Sequence, residues 1–268
     1  MPRLSGFDLG IIRSPGPGLG NLLFPIARAL IGRERYGGEL VYPTMRQVKF
    51  GTILRRERDL RTYGRVLRPR TARDWRLWVQ WRTMTAVHEA AYMDGCENVA
   101  VIYEGLGRQF HDLAGHSQYV GQWLRATRWS DSPLAQAYDI GLHIRLGDFT
   151  PGKSNAPTHN VRQEIEWYRS ALDLAKSLMS TTRPRVRLFT DGDAAELARQ
   201  IGIGDLDIDT SVNALTAMLN LSQAATIITS RSSFSMWGVY LGNARAIWDR
   251  RFDIERTFPW RQGIDMRH

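Results

Sequence analysis

Short, continuous apolar runs alternate along this 268-residue chain with longer stretches in which apolar residues recur every three or four positions. The first pattern predicts buried strands and the second amphipathic helices. In the N-terminal half the runs Phe7–Arg13, Glu39–Tyr42 and Val99–Tyr103 predict strands. Leu22–Arg35 predicts a helix, with Leu22, Leu23, Ile26, Ala27, Leu30 and Ile31 on one side and Pro25 in its first turn. Tyr119–Arg128 predicts another. From Tyr138 the alternation sharpens. Strands are expected at Ile140–Arg145, Val186–Thr190, Leu206–Ile208, Thr226–Thr229 and Ala244–Trp248. Helices are expected at Arg162–Ser180, Ala194–Ile201, Val212–Ala224 and Phe234–Leu241. Repeated strand-then-helix order predicts an α/β protein with parallel sheets covered on both faces. A boundary near Ser130–Pro133 divides it into domains 1–131 and 132–268. Pro151–Asn160, polar with two prolines and a glycine, predicts a loop.

Charge adds a feature that periodicity does not. The net charge is +9. Residues 46–82 hold eleven Arg and one Lys against Glu57, Asp59 and Asp74, which equals the whole of that excess. Trp75, Trp78 and Trp81 recur there at a spacing of three. They predict a core-facing tryptophan stripe on a helix with a solvated arginine face. The same residues also suit an anionic partner or a membrane surface. A single cysteine, Cys96, excludes an internal disulfide framework and a cysteine-based zinc cluster. No apolar stretch reaches the ~20 residues that span a bilayer, and Met1–Gly10 lacks a signal-peptide layout. The expectation is a cytoplasmic protein, with peripheral membrane contact open to the basic segment.

Four constellations fall where a strand gives way to a helix. Gly16-x-Gly18-x-Gly20-Asn21 predicts a turn whose backbone can approach a phosphate at a helix start. Its spacing is neither the dinucleotide fingerprint nor a P-loop. His143-Ile-Arg145-Leu-Gly-Asp148 closes a strand at the edge where α/β sheets bind ligands. Arg145 offers a forked, permanent cation suited to a diphosphate, and Asp148 is placed to hold it. Thr229-Ser-Arg-Ser232-Ser233-Phe234-Ser235 combines hydroxyls with the free N–H groups of a helix start, which suit capping or a phosphate. Phe189-Thr-Asp191-Gly192-Asp193 suits either a capping turn or two carboxylates on Mg²⁺ or Mn²⁺.

In this order the four resemble the motifs of the GDP-fucose-dependent fucosyltransferases, most closely the bacterial α-1,2 group, glycosyltransferase family 11. Gly18–Phe24 is similar to that family's first motif and His143–Phe149 to its second. Phe189–Gly192 is similar to its third and Ser232–Trp237 to its fourth. Leu22, Leu146, Gly192 and Met236 depart from the pattern, at positions where Gln, a second Arg, Asp and Trp are usual. The resemblance implies a GT-B-like fold, with two Rossmann-like α/β domains facing a cleft and the donor mainly on the C-terminal one. It implies inverting transfer of L-fucose from a GDP-sugar donor to a glycan or lipid-linked glycan acceptor, with neither cofactor nor metal and no nucleic acid. By resemblance Arg145 binds the diphosphate and stabilises departing charge, His143 contacts the nucleotide, and Asp148 orients Arg145. Ser232, Ser233 and Phe234 hold the β-phosphate. Asp191 belongs to the same site. Gly18, Gly20 and Asn21 lie near the diphosphate and fucose, and Asn21 joins Arg145 as a catalytic candidate.

Two alternatives accompany that expectation. One is a GT-A-like transferase using Asp191 and Asp193 on a metal. The other is a non-catalytic protein whose Arg/Trp segment binds nucleic acid or an anionic membrane. Asp8, Glu104 and Asp112 lie near strand ends as carboxylates from which a general base could come.

Overall fold

The computed structural model describes residues 4–6, 17–43, 45, 63–92, 96, 98–146, 162–204, 206–242, 244–249, 251, 254, 256–259 and 264–266. The chain divides into two compact units, Met1–Asp131 and Ser132–His268.

The N-terminal unit contains β1 (Leu4–Gly6), α1 (Leu19–Tyr36), β2 (Glu39–Val41), α2 (Ala72–Thr83), β3 (Thr85–His88), β4 (Val99–Ile102) and α3 (Ser117–Thr127). Its strands form a parallel sheet in the order β2-β1-β4-β3. Nearly every residue of α1 from Leu19 to Gly32 is buried, as expected of a helix apolar on most of its circumference. The expected strand Phe7–Arg13 lies outside the described residues. Helix α1 begins three residues before the predicted Leu22, because the Gly18 carbonyl accepts from the amides of Asn21 and Leu22 at 3.0 and 3.2 Å. Pro25 is therefore in the helix interior and not in the first turn, where it supplies no amide proton to the carbonyl four residues back.

Helix α2 corrects the tryptophan stripe. A reciprocal capping box between Thr71 and Asp74 starts it. Trp81 is buried against Val41 and Ala100, with Leu77 and Trp78 partly buried beside it. Trp75 is 52% exposed. A step of three residues falls short of a full turn by about 60°, so three tryptophans at that spacing walk around a helix instead of forming one face.

The C-terminal unit alternates strand and helix throughout: β5 (Tyr138–Ile144), α4 (Ile165–Ser177), β6 (Val186–Thr190), α5 (Ala194–Ile201), β7 (Leu206–Ile208), α6 (Ala214–Leu221), β8 (Ala224–Ile228), α7 (Ser233–Gly242), β9 (Arg245–Asp249) and β10 (Ile264–Met266). The sheet is parallel, in the order β10-β9-β8-β5-β6-β7. Strand β10 has no counterpart among the predicted elements. Strand alternation divides β5 between two layers. Ile140, Leu142 and Ile144 pack with Trp167, Tyr168 and Leu172 of α4 and Leu197 of α5. Gly141 and His143 point the other way. A Cβ at Gly141 would lie 2.7 Å from Leu221, so glycine there lets α6 approach the sheet closely.

Candidate functional site

In a parallel sheet all strands end at one edge, and β9, β8, β5 and β6 are consecutive neighbours. Their ends therefore bring Asp249, Ser230 with Arg231, His143 with Arg145, and Asp191 to the carboxyl edge of the C-terminal unit, the edge where open α/β sheets bind ligands.

His143 is buried, at 5% exposure. Its Nδ1 shares a 2.7 Å hydrogen bond with Ser230 Oγ, and its ring stacks on Phe234 of α7 with centroids 4.9 Å apart. Burial, reinforced by the positive charge of Arg145 and opposed by Asp191, pushes its pKa down to about 3. The imidazole is neutral at physiological pH.

Two residues on, Arg145 leaves the strand. Its Nη1 lies 3.2 Å from Asp191 Oδ2, while Asp191 Oδ1 accepts from the Leu146 amide at 2.7 Å. Asp191 thus holds both the guanidinium and the backbone that carries it. Asp148, expected in the orienting role, lies outside the described residues. The β5–β6 register, which sets Ile144 opposite Thr190, brings the next residues of each strand together. Asp193 instead caps α5, accepting from the Glu196 amide at 3.0 Å.

The members of the serine cluster make different contacts. Ser230 bonds His143. Ser232 Oγ accepts from the Phe234 amide at 3.2 Å, a cap at the start of α7. Ser235 is buried and donates to the carbonyls of Ser230 and Ser232, 3.1 Å from each. Ser233 opens α7, partly exposed beside the half-buried Ser232 and Phe234. The Phe234 amide, expected to face a phosphate, serves Ser232.

Arg231 and Asp249 are additions that the sequence motifs did not bring forward. Arg231, 13% exposed, reaches Asp249 at 3.1 Å; Arg251 grips the same carboxylate, with Nη2 at 2.7 Å. Burial alone would raise the Asp249 pKa, but hydrogen bonds from Arg251 and both positive charges hold it below the usual carboxylate range. The buried Arg231 Nε has no hydrogen-bond partner among the described residues. An arginine immediately after a strand and inside a hydroxyl cluster was the available signal. The edge thus presents two guanidinium groups, each oriented by a carboxylate.

A cavity of about 330 Å³ lies at the opposite edge, lined by Gln136, Tyr138, Arg185 and Arg187 among others. Arg187 there is paired with Asp207, its Nε 2.7 Å from the carboxylate. Asp209, two residues after Asp207, is likewise engaged and accepts from Ser211 and Asn220. Among the described residues no group of three or more His, Cys, Asp or Glu gathers as for a metal.

The first constellation belongs to the N-terminal unit. Gly18 caps α1 with extended backbone, φ −68° and ψ 164°. Gly20 and Asn21 lie in the first helical turn, not in a loop. The Leu19 amide donates to Tyr63 Oη at 3.0 Å, so this helix start is partly satisfied by the protein itself. Among the described residues a Cβ on Gly18 would meet nothing within 4 Å, and its extended backbone does not require glycine. Asp112, one of the candidate bases, accepts from the Arg108 amide and Nε at 2.8 Å.

No protein-family profile matches the chain, and no curated protein matches it in sequence. Solved structures do match in fold. NodZ α-1,6-fucosyltransferase co-crystallised with GDP aligns over 89% of this chain and 92% of its own, at 15% identity and a TM-score of 0.50. Fucosyltransferase NodZ from Bradyrhizobium aligns with the same coverage, identity and score. The likeness shows the fold: mixed α/β with parallel sheets, GT-B-like.

Proposed function

We propose that this chain is an inverting, metal-independent glycosyltransferase. It moves L-fucose from GDP-fucose to a hydroxyl of a glycan acceptor, free or lipid-linked, in α-1,2 linkage and on the cytoplasmic side. The observation that carries the proposal is Arg145, held by Asp191 at the carboxyl edge beside a neutral, buried His143. The motif resemblance supports the donor and the linkage. The fold shared with NodZ, a fucosyltransferase crystallised with GDP, supports the reaction class.

Transfer breaks the bond between the sugar C1 and the β-phosphate oxygen, which keeps the bonding electrons and leaves with GDP, while the acceptor hydroxyl oxygen bonds C1 from the opposite face and gives up its proton to solvent. Positive charge builds on the sugar and negative charge on GDP. Arg145 and Arg231 supply fixed donors where that negative charge appears. Preorganised donors stabilise it without reorganising as it forms. A metal would otherwise neutralise the diphosphate, but Asp191 engages Arg145 and the Leu146 amide with its two oxygens, and Asp193 caps a helix. Neutral His143 contacts the nucleotide without adding repulsion to Arg145. Ser232 and Ser233 offer hydroxyls to the β-phosphate at the start of α7, an anion-favouring helix end. The resemblance alone assigns Gly18, Gly20 and Asn21 to the donor.

The test is calorimetric titration of GDP and GDP-fucose in EDTA, with Arg145→Ala and Ser233→Ala alongside wild type. Wild type is expected to bind both, Arg145→Ala neither measurably, and Ser233→Ala more weakly. Binding of GDP but not GDP-fucose would point to another GDP-sugar. Binding that needs a divalent metal, or no binding at all, would overturn the proposal.

A further inference from the structure

Helix α2 docks through a narrow face. It buries Asp74 and Trp81, with Leu77 and Trp78 partly covered, and leaves its other positions in solvent. On the solvent side Ala72, Trp75 and Val79 follow one another at steps of three and four, the spacing of a continuous stripe. Trp75 is 52% exposed and Val79 55%. Arg76 and Arg82, both exposed, flank that stripe, and Arg65 is exposed shortly before the helix. The acid on this helix is engaged: Asp74 is held by Thr71 and by Arg68 at 3.0 Å, and its carboxyl is kept below the usual range by those bonds despite burial. What faces outward is an apolar ridge bordered by cations.

We propose that this face of α2 is a docking surface for an anionic lipid bilayer, on which the helix lies parallel to the membrane plane. Charge complementarity selects an anionic occupant, and the side chains select a bilayer. Tryptophan favours the boundary between headgroups and acyl chains, an aliphatic side chain such as Val79 gains only where a nonpolar interior receives it, and arginines reach acidic headgroups from the same helix. A nucleic acid would need ring faces for its bases. Here the Arg70 guanidinium covers Trp75, 5.0 Å from the ring centroid, the Trp75 and Trp78 rings meet edge to face at 5.7 Å, and Val79 offers no ring. No helix among the described residues is long and apolar enough to cross a membrane, so the contact is peripheral. The proposed surface uses none of the residues assigned to the donor site.

The full chain is sedimented with mixed phosphatidylcholine–phosphatidylglycerol vesicles and with pure phosphatidylcholine vesicles. Binding is expected to the first and not the second. The double variant Trp75→Ser/Val79→Ser should lose on the order of tenfold in vesicle affinity. Arg76→Gln/Arg82→Gln should lose roughly fivefold per arginine. Brominated lipid should quench tryptophan emission in wild type and much less in Trp75→Phe, a readout that general electrostatic attraction would not move. GDP titration of the same variants should match wild type, which shows them folded and keeps this test separate from that of the donor site. Three results would overturn the proposal: equal binding to both vesicle types, anionic binding undiminished in Trp75→Ser/Val79→Ser, or a single-stranded oligonucleotide bound more tightly than the vesicles and lost in the same variants.

Discussion

Asp191 holds Arg145 with one carboxylate oxygen, 3.2 Å from Nη1, and the Leu146 amide with the other, at 2.7 Å. One side chain thereby fixes both ends of the chain segment that carries the proposed diphosphate ligand. Arg145→Ala should lower kcat by on the order of 100-fold or more, the usual cost of losing a preorganised donor to developing charge. Arg145→Lys should recover little, since an ammonium cannot present the fork. Asp191→Asn keeps an acceptor for the amide but turns an attraction on Arg145 into a neutral contact. It should therefore fall between wild type and Arg145→Ala. Steady-state kinetics with GDP-fucose measure all three; an Arg145→Lys enzyme as fast as wild type would refute the argument.

Acid should weaken the fold through His143. Its pKa is about 3 in the folded chain against an ordinary 6.5. Between those values the unfolded chain binds the proton and the folded chain refuses it, so stability is complete above about 6.5 and falls as pH drops towards 3. The slope from this one residue is about 1.4 kcal/mol per pH unit within that window. Denaturant midpoints across the window should show it in wild type, and His143→Gln should flatten it. Parallel curves for the two proteins would contradict this account. Ser230→Ala, which removes the buried partner of Nδ1, should cost about 1–3 kcal/mol at neutral pH.

Two departures from the fucosyltransferase pattern meet in space. A Cβ on Gly192 would lie 2.5 Å from Leu146 Cδ1, so leucine at 146 and glycine at 192 are a matched pair. The usual residues there, Arg and Asp, would replace apolar contact by charge. Gly192→Asp alone would press on Leu146, and Leu146→Arg alone would add a cation without its acid. Each single variant should be less stable than wild type, and the double variant should recover about 1 kcal/mol of the summed loss. A double-mutant cycle of unfolding free energies decides it, and strict additivity would show that the two positions do not interact.

Much of the C-terminal unit was legible because β5 to β9 are short, largely apolar runs and the helices between them periodic ones, so element type and the parallel sense of the sheet followed from local pattern; β10, three residues with an acid at the centre, carries no such signal. Arg145, His143 and the serine cluster were legible for the same reason: they close such runs. Strand pairing is not local. Asp148 is three residues from Arg145 in sequence, but Asp191, 46 positions away, is the acid shown against it, because β6 lies beside β5 in register. Pro25 misled the placement of α1, since a proline marks a first turn well only when nothing upstream can start the helix, and here the Gly18 carbonyl does. Trp75 misled in another way: identical residues at a spacing of three look like one face, yet drift from buried Trp81 to open solvent.

Arg231 separates a binding role from a structural one. Its Nη2 contacts Asp249 at 3.1 Å, yet Asp249 also has Arg251, which contributes a backbone amide and two side-chain nitrogens. Arg231→Ala therefore leaves the buried carboxylate paired, and the melting temperature should move little. If Arg231 also receives the donor diphosphate, the same variant should weaken GDP binding by roughly tenfold or more, the worth of a charge-assisted hydrogen bond or two. Asp249→Ala should do the reverse in stability. It removes the acid, 1% exposed, that both arginines share, and uncompensated buried charge costs about 3–5 kcal/mol. Calorimetry and thermal unfolding on the two variants divide the outcomes. Weak GDP binding with an intact fold in Arg231→Ala assigns the second guanidinium to the donor, whereas unchanged affinity there would leave Arg231 as a partner of Asp249 alone.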